Sequence, residues 1–142
     1  MDGRPESIFK IRMATSLDGL KWVKENRNLI GDVLEEDECQ ASPDVFYYND
    51  KYHMFFSYKY SSNFRNTDRG YRIGYASSDD LLNWVRDDSM AGIDISSGAE
   101  WDNQSIAYPH VFELDGNVYM MYLGNEVGRF GFGLAVFEDY QA

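Results

Sequence analysis

Two stretches of this chain repeat at nearly the same spacing, and that periodicity constrains the fold more than any other feature. ATSLDGLKWV, from Ala14 to Val23, matches ASSDDLLNWV, from Ala76 to Val85, at an offset of 62 residues with six identities in ten positions. SPDVFYYNDKYHMFFSY, from Ser42 to Tyr58, matches YPHVFELDGNVYMMYLG, from Tyr108 to Gly124, at an offset of 66 residues and keeps Pro, Val, Phe and Met in place. A weaker third copy of the first stretch starts at Gly133, Leu134 and Ala135, which answer Gly74, Tyr75 and Ala76.

The local pattern within each repeat is β. Short runs of Tyr, Phe, Val and Ile are separated by turn signals, and Asn49-Asp50 and Asp115-Gly116 each sit between two such runs, as hairpin turns do. Helix is expected to be minor. The repeating unit is then an inner hairpin, a loop, a strand ending in Ala-(Ser/Thr)-Ser, a turn containing Asp, and an outer strand that begins near Trp. Four antiparallel strands per unit make a propeller blade. The predicted fold is all-β, a partial β-propeller of about two to two and a half four-stranded blades in one domain, 1–142. Residues 1–30 supply the outer strands of one blade, 43–95 a complete blade, and 107–137 the first three strands of the next. Asp18 and Asp80 are read as turn acceptors of backbone N–H groups, and Trp22 and Trp84 as seals between neighbouring sheets. Closed propellers have about four or more blades, so one copy leaves sheet faces and strand edges open. Self-association into a homo-oligomer, or a partner covering those faces, is expected.

SPDVFYYNDKYHMFFSY, YRIGYASSDDLLNWVR, WDNQSIAYPHVFELDGNVYMMYLGN and GFGLAVFE, in this order from about Met13 to Phe137, resemble the five-bladed propellers of glycoside hydrolase families 32 and 43. The resemblance extends especially to the hydrolase-like proteins found with polysaccharide-biosynthesis genes, and it covers what looks like their C-terminal half. It implies that inner strands present carboxylates to a pocket on the propeller axis. Asp44, in Ser-Pro-Asp-Val, falls where such an inner-strand acid stands, most like the one that adjusts pKa and grips the sugar. His110 stands at the same position one blade later. The general acid of the family falls on Ala107, and Gln104 replaces a Glu that often follows the Trp-Asp pair. Glycoside cleavage needs two carboxyl groups, so this set is incomplete and leans against catalysis; if the chain is active, a glycosidase-like hydrolysis is what the resemblance implies.

A pocket built from Asp44, His110, Asp102, Gln104 and Tyr108 remains a candidate for binding sugar hydroxyls, with Asp44 its candidate catalytic carboxylate. The alternatives are that Asp44 caps the start of a strand and that His110 is a hydrogen-bonded histidine near the core. In the loop from Lys59 to Arg72, Arg65 beside Phe64 is the candidate for an anionic ligand, and ion pairing of Lys59, Arg65, Arg69 and Arg72 with the surplus carboxylates is the competing explanation.

Other functional classes are disfavoured. With 24 Asp plus Glu against 13 Lys plus Arg, the net charge of −11 repels phosphate backbones, so no nucleic-acid partner is expected. No apolar run approaches the roughly 20 residues that span a bilayer, and residues 1–10 lack the apolar stretch of a secretory signal, so a cytoplasmic protein without membrane association is expected. His53, His110 and the lone Cys39 supply no zinc set, and Gly124 to Gly133 make no phosphate cradle, so neither metal nor cofactor is expected. The acidic run Glu35, Glu36, Asp37 and Glu38 reads as a solvated loop rather than a calcium site.

Overall fold

A computed structural model describes residues 7–35 and 37–138; Glu36 of the acidic run and the residues at the two ends of domain 1–142 lie outside the described residues. Among the described residues nine strands form three antiparallel sheets. The first pairs β1 (Ala14–Thr15) with β2 (Val23–Lys24). The second has the order β3 (Glu38–Tyr48), β4 (Lys51–Tyr60), β5 (Arg72–Ser78) and β6 (Val85–Arg86). The third has β7 (Ala107–Leu114), β8 (Asn117–Leu123) and β9 (Phe132–Val136). Helix is confined to a 3-10 turn at Asp88–Ala91 and a four-residue turn at Asn125–Gly128. The fold is thus an open stretch of propeller.

The repeats map onto equivalent places in these sheets. Both hairpins turn through residues with left-handed φ, Asn49 and Asp50 in one and Asp115 and Gly116 in the other, the geometry that follows strand twist. Met54 pairs with Ala76, and Met120 pairs with Ala135, so β9 answers β5. The Asp turns are also equivalent. Asp18 Oδ1 accepts the Leu20 and Lys21 N–H groups at 2.8 Å, and Asp80 Oδ1 accepts those of Leu82 and Asn83 at 2.8 Å.

The middle sheet is buried on both faces. Ile73 and Tyr75 of β5 join Ile106, Val111 and Met120 in the core shared with the third sheet. Met54, Phe56 and Ala76 pack on Ile11 and Ile30 of the N-terminal segment, with Trp84 against that cluster. Among the described residues the third sheet has a neighbour on one face only. Phe132 and Leu134 answer Ile73 and Tyr75, yet they are 66% and 57% exposed where the β5 pair is 3% and 8% exposed. Trp22 differs from its sequence expectation in the same way. It is 61% exposed because the two-stranded sheet has no inner strands for the indole to seal against.

The expected solvated loop at Glu35 to Glu38 is corrected at Glu38. That residue opens β3, is fully buried, and accepts from Arg86 at 2.6 Å, from Gln40 Nε2 at 2.9 Å and from the Val33 and Leu34 N–H groups. Its cation lies 48 residues away in sequence. Burial works against the charge of Arg86, but the hydrogen bonds it donates to Asp88 and Glu38 outweigh this and raise its pKa.

Candidate functional site

The inner strands β3 and β7 bring the two matched positions together. Proline has no N–H to give a ladder, and each strand breaks register around one: between Ala41 and Asp44 across Pro43, and between Ala107 and His110 across Pro109. The residue before each proline, Ser42 or Tyr108, takes a left-handed φ of 51° or 55°. Bulges of this kind bend a strand and re-aim its side chains. Here they aim Asp44 and His110, the first residues after the bulges.

Asp44 Oδ2 accepts the Val111 backbone N–H at 2.6 Å, and Asp44 Oδ1 lies 3.6 Å from His110 Nδ1. The carboxylate is partly buried, while the His110 ring is 64% exposed and stacks on Phe112 at 5.6 Å. Tyr108 donates its N–H to the buried Ser57 Oγ at 2.8 Å, which holds the bulge while its phenol ring stands 41% exposed. Tyr71 lies beside that ring, with centroids 6.2 Å apart. The exposed Tyr108 ring thus stands two residues before His110 on β7, with Tyr71 beside it.

The remaining sequence candidates are placed differently. Asp102 is buried, with Oδ1 accepting from Ser96 Oγ at 2.6 Å and Oδ2 from the Tyr122 hydroxyl at 3.2 Å. Burial, followed by the charge of Asp102, raises the Tyr122 phenol above its ordinary pKa. Both Asp102 oxygens are engaged inside the fold. Gln104 acts through its backbone: its N–H donates to Asn125 Oδ1 at 2.8 Å and its carbonyl accepts from Arg72 at 3.1 Å. The Gln104 side chain is exposed.

In the 59–72 loop, backbone carbonyls, a hydroxyl and aromatic rings hold basic side chains. Arg72 donates to the carbonyls of Gly70, Tyr71, Gln104 and Thr67, with Asp94 at 3.5 Å, and Arg69 donates to Ser62. Lys59 is buried with Nζ 3.3 Å from the Phe64 ring centroid. Arg65 is exposed beside Phe64.

Ser57, Tyr71 and Asn125 were missed from sequence. Asn125 is buried and bonds Gln104, Ser105, Glu100 and Asn103, so it shapes the approach to β7. Its one local signal is its place directly after Gly124, whose Cβ would collide with the Trp101 ring at 2.2 Å. A second concavity, about 730 Å³, opens between the sheets toward the Asn49 hairpin and is walled by Phe46, Tyr48, Tyr75, Met90 and Phe137. It is apolar, and the two ring nitrogens of its His53 are engaged by the Tyr75 hydroxyl and the Tyr48 carbonyl. Among the described residues no helix is long and apolar enough to cross a membrane.

No protein-family model matches the sequence. An uncharacterised protein of Mycobacterium tuberculosis is 36% identical over 138 residues, covering 97% of this chain and 43% of the relative, so the chain spans less than half the length of the curated relatives it matches. Among solved structures, a family 117 glycoside hydrolase of the marine bacterium Zobellia galactanivorans aligns over 92% of this chain and 38% of its own, with a TM-score of 0.73 and 22% identity. A family 32 β-fructofuranosidase of Bombyx mori, solved with sucrose, aligns over 91% of this chain and 27% of its own, with a TM-score of 0.58 and 18% identity. A thermostable family 43 glycoside hydrolase aligns over 82% and 38%, with a TM-score of 0.52 and 18% identity. The chain has the propeller fold of these glycoside hydrolases, over about a third of their length.

Proposed function

We propose that this chain is a carbohydrate-binding, glycoside-hydrolase-like propeller module that is completed by self-association. The observation that carries the reading is the meeting of Asp44 and His110 at 3.6 Å, from equivalent places on neighbouring inner strands, with the exposed Tyr108 two residues earlier on β7. A carboxylate and an imidazole accept and donate hydrogen bonds to vicinal hydroxyls, and a phenol ring covers the apolar face of a sugar. Binding is favoured over hydrolysis because Ala107 and Gln104 stand where the family resemblance puts an acid. Self-association is supported by Phe132 and Leu134, exposed where the matching β5 residues are buried.

The test is calorimetric titration with arabino- and fructo-oligosaccharides, comparing the protein with Asp44→Asn. Saturable binding that the substitution weakens supports the reading. A second reading, a non-catalytic interaction protein with no small-molecule site, is favoured by the Asp44–Val111 bond, which already gives that carboxylate a structural task. It predicts no saturable sugar binding in either protein.

A further inference from the structure

Tyr108 is one end of a continuous row of rings and cations. Its ring centroid lies 6.2 Å from that of Tyr71. The Lys59 ammonium sits 4.9 Å from the Tyr71 centroid and 3.3 Å from that of Phe64, and the Arg65 guanidinium ends the row 5.5 Å from Phe64. The row is held against the segment leading into β7. The Ile106 N–H donates to the Tyr71 carbonyl at 3.1 Å, Arg72 donates to Gln104, and a Cβ on Gly70 would come within 3.0 Å of the Gln104 carbonyl. Arg72 is engaged by carbonyls of its loop, the Gln104 carbonyl and Asp94, and Arg69 donates to Ser62, whereas Arg65 is exposed with only the Phe64 ring beside it among the described residues. An available guanidinium at the end of an aromatic platform is unusual on a chain of net charge −11, whose overall field repels anions.

We propose that this row extends the Asp44–His110 rim into a subsite for acidic sugars, in which Arg65 pairs with a carboxylate or phosphate of the glycan while Tyr108 and Tyr71 face the sugar rings. The proposal rests on the carbohydrate-binding reading above and names its ligand class. The guanidinium fork presents two parallel N–H donors, which suit both anions and offer little to a hydroxyl. The aromatic faces serve charged and neutral sugars alike, so Arg65 alone sets the preference for charge.

The experiment is calorimetric titration of the 142-residue protein and of Arg65→Gln with galacturonate oligosaccharides, galactose 6-phosphate and uncharged galacto-oligosaccharides. The protein is expected to bind the acidic ligands about tenfold or more tightly than the neutral ones, and Arg65→Gln to remove that ratio. The galacturonate and phosphate arms distinguish the two sources of charge. Equal affinity for acidic and neutral sugars, or a preference that survives Arg65→Gln, overturns the acidic-sugar proposal and leaves the carbohydrate reading standing. Absence of binding to every sugar overturns both.

Discussion

Asp44 reaches across to the neighbouring blade to accept the backbone N–H of Val111 at 2.6 Å, so the residue matched to a hydrolase carboxylate also pins the next inner strand in place. One of its oxygens is structural and the other faces His110 at 3.6 Å. The two roles are separable, because only the first needs an acceptor and only the second gains from a negative charge. Asp44→Asn keeps an acceptor and is expected to hold the fold within about 1 kcal/mol while weakening sugar binding. Asp44→Ala leaves the Val111 N–H without a partner and is expected to cost about 1–3 kcal/mol. Urea denaturation of both variants measures the difference.

Glu38 and Arg86 form a charge pair withdrawn from water, with side chains 0% and 8% exposed and 2.6 Å apart. Removing one partner of such a pair strands the other, so Glu38→Ala is expected to destabilise by about 3–5 kcal/mol. The Arg86 guanidinium also bonds Asp88, so Glu38→Gln, which keeps a hydrogen-bond acceptor, is expected to fall between the two. Thermal melts of the three proteins at neutral pH check the order.

Asp80 ties the turn between β5 and β6 to acid stability. The Asn83 backbone N–H, then the Asn83 side chain, then the Leu82 N–H hold its carboxyl well below the usual value of 3.8. A depressed folded pKa means that the contribution is fully present above the ordinary carboxylate range and is lost as pH falls through the depressed value. Asp18 is shifted in the same direction, with the Lys21 N–H as its first cause. Asp80→Asn keeps an acceptor but cannot titrate, so its stability is expected to fall less steeply than that of the parent below about pH 4. Parallel pH profiles for the two proteins would show that the turn carboxylate is not linked to folding.

What could be read from the sequence was local or periodic. The Asn49-Asp50 and Asp115-Gly116 turns and the Asp18 and Asp80 acceptors all follow from residues within a few positions of one another. The meeting of Asp44 and His110 was legible because a repeat of matched offset puts both on inner strands. What escaped was long-range. The acidic run around Glu38 looks solvated until Arg86 is brought onto it, and Trp22 matches Trp84 in sequence but lacks the strands that Trp84 packs against. Asp102 looked like a rim residue by position along the chain, yet Ser96 and Tyr122 engage both of its oxygens. Ser57 gave no local sign that its hydroxyl would hold the Tyr108 bulge from another sheet.

The third sheet presents a face of the kind that packs on another blade. Phe132 and Leu134 are 66% and 57% exposed at positions whose β5 counterparts are buried. The most direct measurement is the native mass by light scattering on a sizing column, across a range of concentrations, for the protein and for a Phe132→Lys, Leu134→Lys double variant. The account predicts a defined multiple of the 16.4 kDa chain for the protein and a folded, single-chain mass for the variant. A single-chain mass for both proteins at every concentration would contradict it.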